Sequence, residues 1–395
     1  MVCEAGMRTQ VGIIGAGPAG LLLGRLLSLN GIENVILERR SAAYVLSRVR
    51  AGVLERGTVE ALEEADCAER LRREALVHHG LQIVFDNRYL RIDLQALTGS
   101  SVVVYGQTEI TRDLMAARES EGSPTFYEAE ATKIVDPESD RPKIIFRHAD
   151  RDQTLECDFV AGCDGFHGIS RTAIPPSVLR TYERAYPFGW LGVLADVKPC
   201  SDELIYASHP RGFALASMRS PTRSRYYIQC PLDIQLDQWP DERFWEELKE
   251  RLGPDVAAHV TTGPSIEKSL APIRSFVAEP MRYGRMFLAG DAAHIVPPTG
   301  AKGLNLAAGD VRILARALIA YYKQGLTDLL DAYSTQCLTH VWRAERFSWW
   351  MTSFLHTLPE ADPFARKLQE AEFAYLARSK AAQTALAENY VGVRH

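Results

Sequence analysis

The sequence predicts an α/β protein (α+β overall), with a Rossmann-like domain built on a parallel sheet, an inserted mainly β domain and a helical C-terminal region. Three observations lead to this prediction. A strand–helix–strand pattern opens the chain, strand-like stretches dominate from about Pro187 through Gln229, and helical spacing prevails after Leu304. A strand–helix–strand unit pairs its two strands in parallel, because the helix carries the chain back across the sheet.

The opening unit begins with a short apolar run at residues 11–14, followed by a helix with regularly spaced leucines. Gly31 ends this helix, and residues 35–37 form the second strand. Residues 1–10 are polar, so we expect a frayed extension, with either Met1 or Met7 as the natural start.

The next segments are less regular. Residues 53–76 are predicted to be helical, and residues 109–119 form another short helix. Residues 144–146 and 159–161 are apolar and β-branched or aromatic, which predicts strands on either side of a charged turn.

The second half changes in character. Prolines punctuate the β-rich stretch that begins near Pro187, and a helix is predicted at residues 241–251. Residues 286–289 form a buried strand, and a long helix follows with one apolar face. The chain stays helical to about Glu388. The apolar face of the long helix carries Leu304, Ala307, Val311, Leu314, Leu318 and Tyr321.

Composition restricts the class of function. The net charge of -5 argues against a nucleic-acid-binding protein, which normally has a strong basic excess. The 7 cysteines are scattered without a CxxC pair, which predicts free thiols in a reducing cytoplasm and no metal site. The apolar stretch at residues 11–29 is interrupted by glycines, Pro18 and Arg25, so no membrane span is expected.

A glycine-rich turn follows the first strand. Gly15, Gly17 and Gly20 have the spacing of a dinucleotide fingerprint, and Glu38 ends the second strand, where its carboxylate would accept hydrogen bonds from ribose hydroxyls. The alternative is a plain structural turn, which the presence of Glu38 disfavours.

A second nucleotide motif lies after the strand at residues 286–289. Asp291 follows this buried strand and would bind a ribityl chain, while Gly300 and Gly303 open the long helix. The positive end of that helix favours the anionic pyrimidine end of a reduced flavin. The alternative is a Pro-Gly loop without a chemical role, which two separate nucleotide motifs on one chain make less attractive.

A third element, residues 164–171, completes a set of motifs that resembles the group A flavoprotein aromatic hydroxylases. The resemblance runs from Gln10 to about Val391 and includes residues 186–190, 209–215 and 346–351. It implies binding of FAD and NADPH without a separate nicotinamide domain. The domains implied are an FAD-binding part at 1–180, a β-rich substrate-binding part at 181–280, and a part at 281–395 with the second FAD motif and a helical interface region.

The resemblance implies a set of cofactor contacts. Ala19 replaces a serine that is common in the family, and Gly168 also stands where the wider group often has serine. The implied FAD-binding residues are Gly15, Gly17, Ala19, Gly20, Glu38, Arg48, Val49, Arg50, Ala51, Gly52, Val53, Gln107, Asp164, Asp291, Leu304 and Asn305.

A basic cluster after Glu38 could bind the 2′-phosphate of NADPH. It contains Arg39, Arg40 and Arg48, with Tyr44 among them, and the alternative is an ordinary charged surface. With the pyrophosphate contacts implied by the resemblance, the NADPH-binding residues are Arg39, Tyr44, Arg50, His167 and Arg274.

A carboxylate site is suggested by strand alternation. Ser217 and Arg219 share one face of a strand, and Arg225 and Tyr227 share a face of the returning strand. An arginine fork beside hydroxyl donors suits a carboxylate, although a solvated hairpin tip is the better interpretation from the residues alone. The resemblance favours the site instead, and implies that Ser217, Met218, Arg219 and Tyr227 bind the carboxylate of an aromatic acid.

The resemblance also implies the catalytic residues. Tyr206 would contact the substrate phenol, Tyr390 would lie behind it, and His78 would stand at the solvent end of a proton chain, while the carbonyl of Pro298 would contact the same hydroxyl. A free phenol titrates near pKa ~10, so hydrogen bonds that favour its anion are needed at neutral pH.

The implied activity is hydroxylation of 4-hydroxybenzoate to 3,4-dihydroxybenzoate with NADPH and O2 through a flavin hydroperoxide. One alternative is a related flavin hydroxylase of another hydroxylated aromatic acid, and another is a flavin-free binding protein of the same fold. A cytoplasmic homodimer is implied by resemblance, with residues 342–354 as its interface.

Overall fold

The fold is described from a computed structural model, in which residues 7–47, 52–358 and 363–392 are placed. The strands are β1 Met7–Ile14, β2 Asn34–Glu38, β3 Val53–Leu54, β4 Leu76–His78, β5 Gly80–Phe85, β6 Arg88–Asp93, β7 Val102–Val104, β8 Thr125–Tyr127, β9 Glu130–Val135, β10 Lys143–His148, β11 Arg151–Gly162, β12 Arg180–Ala195, β13 Leu204–His209, β14 Gly212–Ser220, β15 Arg223–Cys230, β16 Ser265–Glu279, β17 Arg282–Tyr283, β18 Met286–Leu288 and β19 His294–Ile295. The helices are α1 Pro18–Leu29, α2 Ala42–Ser47, α3 Arg56–Glu64, α4 Glu69–Glu74, α5 Leu94–Thr98, α6 Gln107–Ser120, α7 Asp241–Leu252, α8 Pro254–Ala257, α9 Gly303–Gln324, α10 Asp328–Leu355, α11 Pro363–Arg378 and α12 Lys380–Val391.

The first sheet carries the nucleotide motifs at one edge. Its order is β17-β18-β11-β1-β2-β8, and β1 pairs in parallel with both β2 and β11. Ile14 is level with Leu37 and with Gly162, and Gly162 is level with Leu288. The segments that follow these strands therefore meet at the carboxyl edge, where ligands bind in sheets of this class. The prediction of a parallel sheet is confirmed.

The second sheet is largely antiparallel. Its order is β19-β16-β12-β15-β14-β13-β5-β6, with β13 and β5 parallel. The β-rich stretch predicted after Pro187 is confirmed as β12–β15, and the hairpin β5–β6 from the N-terminal part joins the same sheet through β13. A small sheet, β3-β7-β4, is hydrogen-bonded to neither, and its Val53, Val102 and Val104 pack in one core with the second sheet.

The helical C-terminal region is also confirmed. Helix α9 runs from Gly303 to Gln324 and buries Val311, Leu314 and Leu318, as the apolar spacing predicts. Helix α10 contributes Val341 and Ala344 to the core around the first sheet, and its later residues pack in a second core with the second sheet. No helix within the placed ranges is both long and apolar enough to cross a membrane.

Two local predictions are wrong. Residues 53–76 form β3, α3, α4 and β4 instead of one helical stretch, because Val53 and Leu76 pair with β7 and Asp66 adopts a left-handed φ of 53° between the helices. Residues 7–10 are not frayed, since Met7 already pairs with Leu155 of β11. Residues 1–6 lie outside the described part of the chain.

Candidate active site

The glycines after β1 each meet a different steric demand. Gly15 has a φ of 104°, a left-handed conformation that L side chains rarely adopt. A Cβ on Gly20 would lie 2.0 Å from the carbonyl oxygen of Gly15, whereas a Cβ on Gly17 would meet no atom within 4 Å. The turn is therefore tight at Gly15, closely packed at Gly20 and open at Gly17, which is the N-cap residue of helix α1. Open helix N-termini of this kind suit phosphate groups.

Glu38 is fixed by backbone groups at the end of β2. Its carboxylate accepts hydrogen bonds from the N–H of Ala16 and of Arg40, both at 2.8 Å. It lines a narrow cleft together with Gly15, Asp164 and His167. The first and third motifs of the sequence thus meet at one cleft, and the Glu38 carboxylate is part of its lining.

Asp164 organises the turn after β11. It accepts hydrogen bonds from the N–H and the hydroxyl of Ser170, both at 2.9 Å, while its other oxygen is buried without a partner among the described residues. Burial raises the pKa of Asp164. A Cβ on Gly168 would lie 2.0 Å from the Asp164 carboxyl carbon, so a serine at position 168 would collide with this arrangement.

The second nucleotide motif is held by a buried ion pair that the sequence argument missed. Asp310 of α9 accepts a hydrogen bond from the N–H of Gly290 at 2.9 Å and lies 2.6 Å from Nε2 of His294. Burial opposes the charged form of His294, but the Asp310 carboxylate outweighs it and raises the pKa. The feature of the sequence that could have indicated this pair is an aspartate among the apolar positions of α9. Helix α9 therefore fixes the turn that contains Asp291, through the contacts of Asp310 with Gly290 and His294.

The N-terminus of α9 is joined to β3 through Asn305. Its amide donates to the carbonyls of Val53 and Ala301 and accepts from the N–H of Glu55 and the hydroxyl of Thr58. The hydrogen bonds of the Asn305 side chain therefore join the start of α9 to residues 53–58. A Cβ on Gly303 would meet no atom within 4 Å, which leaves the backbone at the helix start open.

The other sequence-predicted FAD residues lie on several elements. Ala19 lies beside the Gly290 turn, Leu304 packs on the first core, and Gln107 begins α6. A Cβ on Gly52 would lie 1.9 Å from the carbonyl oxygen of Tyr105, so only glycine fits there. The predicted contacts Arg48, Val49, Arg50 and Ala51 lie outside the described residues.

The residues assigned to NADPH form two groups. His167 and Arg274 both contact Phe166, with ring centroids 5.0 Å apart for His167 and the guanidinium 4.7 Å from the ring for Arg274. Arg40 lies over the ring of Tyr44 at 5.2 Å, close to Arg39 in the chain. His167 and Arg274 therefore lie beside the same phenylalanine ring, and their binding of NADPH stays a prediction.

The residues of the carboxylate site lie on one face of the second sheet. Ser217 is opposite Arg225 and Leu215 is opposite Tyr227, so these side chains share a face. A Cβ on Gly192 would lie 2.7 Å from the ring of Tyr227, so this glycine of β12 makes room for the tyrosine. Met218 alternates to the other face, which leaves its backbone as the group on the side of the site.

Arg219 and Arg225 differ in their partners. Arg225 is buried and pairs with Glu267 at 3.1 Å and Ser269 at 3.0 Å, although its Nε also has no hydrogen-bond partner among the described residues. Arg219 donates to Ser217 at 3.2 Å, and its Nε is buried without a partner among the described residues. Burial lowers the pKa of Arg219, and neighbouring Arg225 lowers it further, although Tyr227 opposes this. An anion beside Arg219 would remove this penalty.

Tyr206 and Tyr390 meet in the second core. Their hydroxyls are 2.8 Å apart, although the residues are 184 positions apart in the chain. Burial raises the pKa of Tyr206 to about 12 and that of Tyr390 well above its usual value, so both keep their protons at neutral pH. Lys302 donates to the carbonyl of Tyr390 at 3.0 Å and to Glu55 at 2.6 Å, which fixes the end of α12 beside the flavin motif.

The prediction that His78 lies at the solvent end of a proton chain is wrong. Its side chain is buried rather than at the solvent end of a chain, and neither ring nitrogen has a hydrogen-bond partner within the described ranges. Burial lowers the pKa of His78 to about 4, so the ring is neutral near pH 7. The carbonyl of Pro298 accepts a hydrogen bond from Ala301 at 2.9 Å, at the turn before α9.

Comparisons with known proteins agree with this geometry. Residues 8–348 match the family model described as FAD binding domain. The chain is 56% identical to p-hydroxybenzoate hydroxylase of Acinetobacter baylyi over 388 residues, which cover 98% of this chain and 96% of that protein. It is 28% identical to an uncharacterized aromatic compound monooxygenase, YhjG, of Bacillus subtilis, over 83% of this chain and 65% of that protein.

Solved structures show the same fold. The crystal structure of p-nitrophenol 4-monooxygenase PnpA from Pseudomonas putida DLL-E4 aligns with a TM-score of 0.84 at 20% identity, covering 98% of this chain and 100% of that one. OxyS anhydrotetracycline hydroxylase from Streptomyces rimosus aligns with a TM-score of 0.76 at 22% identity, covering 98% of this chain and 76% of that one.

Proposed function

Because this chain belongs to the FAD binding domain family, among the flavin-dependent aromatic hydroxylases, we propose that it hydroxylates 4-hydroxybenzoate at the 3-position. The products are 3,4-dihydroxybenzoate, NADP⁺ and water, formed from the aromatic acid, NADPH, O2 and a proton. The proposal extends to this chain the substrate named for the relative from Acinetobacter baylyi.

One observation carries the choice of substrate. Arg219 has a buried Nε without a partner among the described residues, and it donates to Ser217, which shares a sheet face with Leu215 and Tyr206. Tyr206 on β13 is level with Leu215 on β14, and Ser217 lies two positions further along β14, so Tyr206 and Ser217 are diagonal neighbours about 7–8 Å apart. That separation suits one benzene ring with a carboxylate at one end and a hydroxyl at the other.

The motifs after β1, β11 and β18 fit FAD. Gly17 leaves room for a pyrophosphate at the start of α1, Glu38 offers a carboxylate to the adenosine ribose, and Asp291 stands where the ribityl chain would pass. FAD, when bound, accepts hydride from the nicotinamide and supplies the activated oxygen. The residues of this chain orient it, with the open start of α9 facing its pyrimidine end.

The tyrosine pair controls the proton of the substrate phenol. Since the pKa of Tyr206 is raised to about 12, its hydroxyl keeps a proton to donate to the substrate oxygen, which stabilises the phenolate. Tyr390 lies behind Tyr206, so the proton of the phenol can leave along the Tyr206–Tyr390 hydrogen bond. The carbonyl of Pro298 would accept from the neutral phenol.

NADPH is proposed to bind at two groups of residues near the cleft lined by Glu38 and His167. His167 and Arg274 around Phe166 would contact the pyrophosphate, and Arg39 and Tyr44 would contact the 2′-phosphate end. Guanidinium groups suit phosphate because they donate paired hydrogen bonds. Arg50 is included in this proposal, although it lies outside the described residues.

We also propose that the protein forms a homodimer and is located in the cytoplasm. A homodimer would use the aromatic part of α10, where Trp342 and Trp349 are exposed while Phe347 and Phe354 are already buried in the second core. The described cysteines are all free thiols, which supports a reducing cytoplasm. The division into parts at 1–180, 181–280 and 281–395 also stays a proposal.

The experiment that tests the function measures oxygen uptake and NADPH oxidation with and without 4-hydroxybenzoate, together with product identification. We expect the substrate to accelerate NADPH oxidation and 3,4-dihydroxybenzoate to form in proportion. A panel of other hydroxylated aromatic acids is the control, and a better-coupled acid among them would replace the proposed substrate. A protein that binds no FAD would refute the enzyme assignment itself.

A further inference from the structure

His356, at the end of α10, occupies the centre of a buried ring stack. Its imidazole stacks with Phe213 at a centroid distance of 4.3 Å and with Phe188 at 4.8 Å. The indole N–H of Trp190 donates to Nε2 of His356 at 2.7 Å, across 166 positions of the chain. Nothing in the nucleotide or carboxylate motifs uses this residue.

The hydrogen bonds fix one state of the imidazole. Nε2 accepts from Trp190, so it carries no proton, and Nδ1 lies 3.0 Å from the carbonyl of Thr352, which can only accept. The ring is therefore neutral with its proton on Nδ1. Burial lowers the pKa of His356 to about 3, so this state persists across the pH range of the folded protein.

The stack reaches both ends of the proposed substrate pocket. The ring of Trp190 is 5.1 Å from the ring of Tyr227, which belongs to the carboxylate end. The ring of Phe213 is 6.3 Å from Tyr206, which belongs to the phenol end. His356 touches both Trp190 and Phe213, at the place where the helical region meets the sheet.

A second contact fixes the same junction. The side-chain oxygen of Gln229 accepts from the N–H of Thr357 and from that of Phe213, both at 3.1 Å, and its amide donates to the carbonyl of Thr357. The end of α10 is thus attached to β14 and β15 on either side of the imidazole.

We propose that His356 is a positioning residue for the substrate: by accepting the indole N–H it holds Trp190 as a fixed wall against Tyr227. The inference rests on the proposed function, because it assigns the wall to the aromatic-acid pocket. It identifies a residue that sets substrate affinity from behind the pocket, without touching the substrate.

The test is a double-mutant cycle with the holoenzyme. His356→Phe keeps a ring in the stack but leaves the Trp190 N–H buried without an acceptor, whereas Trp190→Phe/His356→Phe removes both groups. We expect His356→Phe to weaken 4-hydroxybenzoate binding about tenfold, measured by flavin absorbance titration, with FAD affinity changed less than about twofold. The double variant should bind the acid better than the two single effects combined predict, because no donor is left unpaired.

Trp245→Phe is the matched control. Trp245 donates its indole N–H to the carbonyl of Gly263 at 3.0 Å in a separate core cluster, so its loss should lower the melting temperature without weakening binding of the acid. Unchanged acid affinity in His356→Phe, or additive effects in the cycle, would overturn the proposal. If His356→Phe does not fold, the double variant should still fold, and its failure to do so would show that the imidazole only fills the core.

The cycle also separates this inference from the proposed function. Thermal unfolding of the same variants measures the Trp190–His356 coupling without any substrate. Coupling in stability, combined with a wild-type protein that binds no aromatic acid, would refute the proposed function. Coupling in stability, with wild-type binding that the variants leave unchanged, would refute the positioning role alone.

Discussion

A buried tyrosine is useful to a phenol substrate only while it keeps its proton. Among the described residues, the hydroxyl of Tyr206 has the hydroxyl of Tyr390 as its hydrogen-bond partner, at 2.8 Å, and burial raises the pKa of Tyr206 to about 12. A donor of this kind favours the anion of a hydrogen-bonded phenol over its neutral form.

Tyr206→Phe should therefore separate NADPH oxidation from hydroxylation. The acid should still bind through Arg219, but product per NADPH oxidised should fall at least about tenfold, since proton management in an active site is typically worth 10²- to 10⁴-fold. Product chromatography against NADPH consumption measures this ratio. Tyr226→Phe, on the opposite face of the same sheet, is the control and should stay coupled. Full coupling in the Tyr206 variant would contradict the assigned role.

Arg219→Lys tests the carboxylate end. Lysine keeps the charge but loses the planar fork, so we expect the dissociation constant for 4-hydroxybenzoate to rise about tenfold or more. Arg223→Lys is the matched control, because Arg223 is exposed and pairs with Asp196 at 2.6 Å outside the pocket. Equal affinities of the two variants for the acid would mean that Arg219 does not bind the carboxylate.

The residues differ in how far the sequence alone predicts them. Strand alternation places Ser217 and Tyr227 on one face of the hairpin, because Ser217 is opposite Arg225 and Leu215 is opposite Tyr227. Arg219 lies at an irregularity in this pairing, so its position beside Ser217 follows only from the hydrogen bond in the structure. Asp310 and His356 act through partners that only the tertiary fold supplies, as with His356 and Trp190. Their polarity at core positions was visible in the sequence, but the identity of the partner was not.

Helix α9 begins beside the second nucleotide motif and also contacts the loop of that motif through Asp310. Its first turn is open at Gly303. About two helical turns further along, Asp310 fixes the loop that carries Asp291. Because the Gly290 turn has no other described side chain holding its N–H, its geometry depends on this helix.

Asp310→Asn should weaken FAD binding. The amide can still accept from Gly290, but it loses the charge that pairs with His294, so we expect the FAD dissociation constant to rise about tenfold. Flavin fluorescence on release measures it directly. Asp331→Asn is the control, since Asp331 is largely exposed and pairs with Arg282 away from the turn. Unchanged FAD affinity in Asp310→Asn would show that the turn holds its shape without the pair.

The errors in predicting elements have a common cause. Residues 53–76 have helical spacing in part, but Val53 and Leu76 at their ends pair with β7 at residues 102–104, a contact that no local pattern encodes. Likewise β5–β6 joins the second sheet through β13, more than a hundred residues away. Elements with a long regular period, such as α9 and α7, were predicted correctly because packing and propensity agree there.

Seen as one molecule, the chain has separate cores that α10 joins. Cys337, Val341 and Ala344 pack in the core of the first sheet, and Phe347 and Met351 pack in the core of the second. Glu345 lies at this crossing, buried, with one carboxylate oxygen lacking a partner among the described residues. A carboxylate in such a place affects the stability of both cores together.

Glu345 should therefore make the stability of the whole fold depend on pH. Burial raises the pKa of Glu345 to about 7, against 4.5 for the unperturbed side chain, although Ser275 and His294 partly oppose the shift. Between these pH values the folded protein holds a proton that the unfolded chain has lost, so stability falls as pH rises from about 4.5 to about 7 and stays lower above pH 7.

Glu345→Gln has no proton to lose and keeps an oxygen to accept from Ser275. At pH 8 it should be more stable than the wild type by roughly 1–3 kcal/mol, with the difference vanishing near pH 5. Thermal unfolding of both holoproteins at fixed FAD concentration measures this, with the exposed Glu246→Gln as control. A difference that stays constant between pH 5 and pH 8 would mean that Glu345 does not titrate in this range. The junction of the two cores would then be stabilised by packing alone.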